Sequence, residues 1–124
     1  MTTLGVVGVR NTRPIRWLDP ALREFLKFPE AAQSICQDAL TLAAEGDRAL
    51  IVKPMRGFGS GVFEIALPFR GDAYRVVYAV QIAAEIWVVH AFQKKSTRGI
   101  KTPQHEIDLI KHRLRRLKEQ LREG

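Results

Sequence analysis

The side chains best suited to chemistry in this sequence are an arginine, a lysine pair, a glutamate and a histidine. Arg75 sits in Tyr74-Arg75-Val76-Val77-Tyr78, a run of strong strand formers. In a strand, alternate residues face opposite sides, so Arg75, Val77 and Ala79 share one side and Tyr74, Val76, Tyr78 and Val80 the other. The second set has the bulk to pack beneath helices, which leaves Arg75 on the open face. A guanidinium fork there matches the oxygens of a phosphate. Lys94-Lys95 closes the next apolar run, Ile86 to Phe92. Neighbours in a strand face opposite ways, so one of the two lysines reaches the same phosphate. Parity with Ala91 and Gln93 favours Lys95.

Glu64 lies on the preceding strand, where Phe63, Ile65 and Leu67 share one side and Glu64 and Ala66 the other. It is a cross-strand partner for Arg75. His90 can exchange a proton near neutral pH. Its setting among Val88, Val89 and Phe92 predicts a buried, hydrogen-bonded imidazole. More cations fall in loops. Lys53 and Arg56 flank a glycine-rich segment ending at Gly61, whose spacing is not that of a P-loop. Arg98 and Lys101 lie in a second basic loop. These four suit contacts to a nucleic-acid backbone. The three histidines and one cysteine lack metal-ligand spacing, so neither a metal nor another cofactor is expected.

The balance of charge points the same way. Twenty Lys and Arg against thirteen Asp and Glu give +7 over 124 residues. So basic a domain attracts polyphosphate, and RNA or DNA is the first partner to consider; an acidic protein is another. A single cysteine, Cys36, excludes an internal disulfide and fits the apolar side of a helix. No apolar run approaches the roughly 18 residues of a membrane span, and no leader pattern opens the chain, so a cytoplasmic protein is expected.

The elements that must position these groups follow from periodicity. Residues 1–12 form an N-terminal arm, and 13–124 a single domain. Ile15 to Leu18 predicts a short strand. Asp19-Pro20 opens a helix with Asp19 as N-cap, and Phe28-Pro29 ends it. A second helix runs to about Glu45 with an apolar stripe of Ala32, Ile35, Cys36, Ala39, Leu42 and Ala43, and Gly46 closes it. Three strands follow, with Pro68 ending the first and turns at Arg70-Gly71-Asp72 and Ala83-Ala84-Glu85. Thr102-Pro103 starts a last helix with Thr102 as N-cap and a seam of Ile107, Ile110, Leu114, Leu117 and Leu121. The order is β-α-α-β-β-β-α. That is an α+β domain: a small twisted antiparallel sheet with helices packed mainly on one face.

Three motifs carry a resemblance. Tyr74-Arg75-Val76-Val77-Tyr78, then His90-Ala91-Phe92-Gln93-Lys94-Lys95, then Thr102-Pro103-Gln104-His105-Glu106-Ile107 occur in order. The chain resembles the RelE/HigB-type toxins of bacterial type II toxin–antitoxin modules, in particular their phage-derived branch. The resemblance covers about residues 13–118 and implies a RelE-like fold. It also implies an endoribonuclease that cuts messenger RNA, with the ribosome as the expected place. A cognate antitoxin, a small helix-turn-helix protein, would silence it. Metal-free RNA cleavage needs a base for the 2′-hydroxyl, charge stabilisation on the phosphorane and an acid for the leaving 5′-oxygen. The resemblance places a catalytic arginine on Arg75 and basic catalytic residues on Lys94 and Lys95. The best-studied members carry lysines on the strand that here holds Glu64 and Ala66. Glu64 is therefore either the base or the residue that holds Arg75. Two non-catalytic outcomes stay open: a ParE-type gyrase poison on the same scaffold, or an inactive relative that only binds its antitoxin.

Overall fold

Alternating and continuous apolar runs in the second half of the chain build the sheet on which everything else rests. The computed structural model describes residues 12–95 and 101–123. Its elements are β1 (Ile15–Trp17), α1 (Asp19–Phe25), α2 (Glu30–Ala44), β2 (Val52–Pro54), β3 (Val62–Phe69), β4 (Asp72–Ile82), β5 (Glu85–Lys94) and α3 (Gln104–Glu123). They form one five-stranded sheet in the order β1-β5-β4-β3-β2. β1 runs parallel to β5; the other pairings are antiparallel. The expected α+β architecture is found, with one added edge strand. Expected as the start of a loop, 52–54 instead pairs with β3, Lys53 lying opposite Glu64. Pro54 is tolerated there because an edge strand leaves one side of its backbone unpaired.

α1 and α2 cover one face. Phe25, Phe28, Cys36 and Leu40 pack on Ile65, Tyr74, Val76, Tyr78 and Val88. A chain of aromatic contacts ties the layers: Trp17–Phe25 at 4.8 Å, Phe25–Phe28 at 5.4 Å and Phe28–Tyr74 at 4.8 Å between ring centres. α3 lies across the other face, setting Ile110, Leu114 and Leu117 on Val62, Val77, Ala79 and Val89. Two of the three helices thus share a face, and the third covers the side expected to stay open.

Local details follow from backbone chemistry. α2 ends in a Schellman motif: the Gly46 amide donates to the Ala43 carbonyl and the Asp47 amide to Leu42. Gly46 takes the left-handed φ of 90° that this ending requires. The apolar stripe of α2 is rotated from the expected one, with Leu40 and Ala44 buried and Ile35 exposed. Leu18, not Asp19, precedes α1, which has no side-chain cap; Asp19 instead lies in the first turn, where the helix dipole favours an acid. β3 runs through Pro68 to Phe69 and turns at Arg70 and Gly71, with φ of 53° and 86°. Ala83 and Ala84 take the same left-handed conformation between β4 and β5. Two such residues in succession match the twist of a tight hairpin.

Candidate functional site

Strand register decides which side chains meet. Arg75 pairs with Ala66 and Phe92, Val77 with Glu64 and His90, Ala73 with Lys94, and Glu64 with Lys53. Cross-strand partners share a face. Lys53, Glu64, Arg75, His90 and Lys94 therefore stand together on the side that α3 covers. This corrects the parity argument for Lys95: Lys94 is the one on the side of Arg75. Lys95 is exposed just beyond β5.

At the centre is a buried ion pair. The Arg75 guanidinium donates to Glu64 Oε1 at 2.9 Å, and the residues are 5% and 1% exposed. Thr102 closes the group: its hydroxyl donates to Glu64 Oε2 at 2.8 Å and accepts from Arg75 at 3.4 Å. Thr102 was expected to cap the last helix; its oxygen serves this cluster instead. Arg75 is thus not on an open face, because Thr102 and the start of α3 cover it. Two lysines line the rim. Lys53, half exposed, approaches Glu64 Oε1 at 3.9 Å. Lys94 donates to the Lys101 carbonyl at 3.1 Å, beside Thr102.

Further along β5, a second group docks α3. His90 Nε2 lies 2.6 Å from Glu106 Oε1, and Arg113 lies 2.8 Å from His90 Nδ1. Arg113 can only donate, so Nδ1 is an acceptor and the proton of the neutral ring sits on Nε2, donated to Glu106. Burial pushes His90 below the ordinary histidine range; the bond to Glu106 opposes that and does not overcome it. Arg113 also donates to the Val89 carbonyl at 3.0 Å. Val89 is the extra residue of a bulge, since Val77 pairs with His90 and Tyr78 with Val88. Bulges re-aim neighbouring side chains. His90 is buried and hydrogen-bonded, and it locks the helix rather than reaching the rim.

The other expected contacts are dispersed. Arg56 and Lys101 are exposed on separate loops. Arg98 lies outside the described residues. No group of three or more His, Cys, Asp or Glu among the described residues is placed to hold a metal. No helix among them is long and apolar enough to cross a membrane. Thr102, Glu106 and Arg113 were not singled out from the sequence as site residues. A signal for two existed: Thr102 and Glu106 belong to the third motif, which served to recognise the chain and was not read for chemistry.

The fold is similar to that of an arginine-to-alanine double mutant of the E. coli toxin RelE in the free state. The TM-score is 0.54 at 22% identity, over 65% of this chain and 82% of that one. The RelBE2 toxin–antitoxin complex of Mycobacterium tuberculosis is similar with a TM-score of 0.46 at 20% identity, over 68% of this chain and 94% of that one. No curated protein matches significantly. The model of the family described as "Phage derived protein Gp49-like (DUF891)" matches residues 23–115. That stretch holds α2, the sheet from β2 to β5 and the helix that closes the Arg75 cluster, and the chain belongs to this phage-derived Gp49-like family.

Proposed function

We propose that this protein is the toxin of a type II toxin–antitoxin module. It acts in the cytoplasm as a metal-independent endoribonuclease on messenger RNA at the ribosome, and a cognate antitoxin, a small helix-turn-helix protein, silences it. The observation that carries this reading is the pair of lysines, Lys53 and Lys94, flanking the buried Glu64–Arg75–Thr102 cluster on one face. Lys53 and Lys94 take the non-bridging oxygens of a phosphate. Arg75 supplies charge to the phosphorane once Thr102 has given way. Glu64 accepts the 2′-hydroxyl proton, and a rim lysine returns one to the 5′-oxygen. The RelE-like fold and the charge of +7 support the choice of RNA.

A second reading has one observation in its favour. Arg75 and Glu64 neutralise each other and are almost wholly buried. That is also what a purely structural pair on a non-catalytic toxin or an antitoxin-binding relative would look like. Induced expression of wild type and Arg75→Ala, with mapping of transcript ends, separates the two. The nuclease reading requires growth arrest with discrete new ends for wild type and neither for the variant, whose fold is checked by near-UV circular dichroism. Arrest without new ends in both would leave the non-catalytic reading standing.

A further inference from the structure

On the opposite face of the sheet, a cleft of about 400 Å³ opens between the end of α2 and strands β3 and β4. Its wall includes Arg13, Asp47, Arg48, Phe63 and Tyr78. Tyr78 is 1% exposed, yet its hydroxyl makes no hydrogen bond among the described residues. Buried hydroxyls are nearly always satisfied, so one that borders a cleft unpaired is waiting for a partner. Arg48 lies over the Phe63 ring, 5.0 Å from its centre. Its guanidinium forms no ion pair or hydrogen bond with any described residue. Arg13 donates to the Val80 carbonyl in the same wall. The carbonyls at the end of α2 are already taken, by Gly46, Asp47 and the Arg13 amide. They do not compete for the free donors of Arg48 and Tyr78.

We infer that this cleft is a carboxylate-binding subsite for an acidic peptide segment of a protein partner. A carboxylate lying between the Arg48 fork and the Tyr78 hydroxyl satisfies both, and the Phe63 ring supports the guanidinium from behind. Burial raises Tyr78 to about 12, which keeps the phenol a donor at neutral pH. Two features select a peptide over RNA. Asp47 stands in the wall and repels a continuous polyanion, whereas a single carboxylate avoids it. Leu50, two residues beyond Arg48, is fully exposed and offers an apolar contact next to the charged one. The subsite lies across the sheet from Lys53 and Lys94. It stands whether or not those lysines serve a nuclease.

The test uses the full chain and a ten-residue peptide of alternating Glu and Leu, with binding read by fluorescence anisotropy. Controls are the same peptide with Gln for Glu and a single-stranded uridine decamer. The expected result is binding of the acidic peptide, weakened about tenfold or more by Arg48→Gln and several-fold by Tyr78→Phe. Lys53→Ala and Lys94→Ala should leave it unchanged. Tyr78→Phe removes only an unpaired oxygen, so its thermal midpoint should stay at or above wild type, which separates lost binding from lost fold. The proposal is overturned if the acidic peptide does not bind, or if the Gln peptide binds equally well. It is also overturned if the Arg48 and Tyr78 variants bind the acidic peptide unchanged, or lose affinity for the uridine decamer instead.

Discussion

The two faces of the sheet are built on different physics. The face under α1 and α2 is held by aromatic and aliphatic packing, with Phe25, Phe28, Tyr74 and Tyr78 in contact and no buried charge among its core residues. The face under α3 has an apolar patch at one end and, at the other, the Glu64–Arg75–Thr102 and His90–Glu106–Arg113 groups. Apolar packing is tolerant of solvent conditions and has no chemistry of its own. Buried polar groups need every partner in place, and they are costly when one is lost. The first face makes the fold. The second carries the chemistry, and α3 is docked through it, so helix position and site geometry are one quantity.

That contrast can be broken from either side. Phe25→Ala on the first face should destabilise the protein by about 3–5 kcal/mol in chemical denaturation, through a cavity at a fully buried ring. Arg75→Met alone should cost about 3–5 kcal/mol, because it leaves the Glu64 carboxylate buried without its main partner. The double variant Arg75→Met/Glu64→Leu should return to within about 1 kcal/mol of wild type, since an apolar pair of similar size replaces the ions. No such rescue is available to Phe25→Ala. A double variant as unstable as the single would show that the pair is not what matters there.

A smaller effect sharpens the comparison through pH. The native fold holds His90 below its ordinary value of about 6.5, so the unfolded chain takes up the proton first. Stability should be flat with respect to this group above about pH 6.5 and should fall as the pH drops below that value towards the lowered native one. His90→Gln keeps a donor for Glu106 and an acceptor for Arg113 without titrating. Denaturation midpoints across this range should show a shallower acid slope for the variant. Equal slopes would mean that His90 is not held neutral by its surroundings.

Much of this was legible in the sequence, for identifiable reasons. Side-chain alternation in β4 separated Arg75, Val77 and Ala79 from Tyr74, Val76 and Tyr78, because period two survives in any unbroken strand. Gly46 marked the end of α2 because few other residues accept its φ. The three motifs identified the family. What failed depended on tertiary geometry. The choice of Lys95 over Lys94 failed because absolute facing needs register, which only pairing with β4 supplies. The bulge at Val89 leaves no local sign in an apolar run. Thr102 was read as a helix cap because Thr-Pro at a helix start is locally ambiguous, and only the docking of α3 shows its hydroxyl turned to Glu64. The edge strand at 52–54 was missed because a three-residue run containing proline has little propensity to be a strand.

The smallest expected effect on stability belongs to the variants that matter most for function. Lys53→Ala/Lys94→Ala removes two rim cations without exposing a cavity or orphaning the Arg75–Glu64 pair, and should change stability by no more than about 0.5 kcal/mol for each substitution. The central claim is that the rim lysines and the buried cluster between them act together on RNA. Mapping transcript 5′ ends after induction of wild type and this folded double variant tests it most directly. The account predicts discrete new ends with wild type and their loss with the double variant at an unchanged thermal midpoint. The same cuts in both, or none in either, would contradict it.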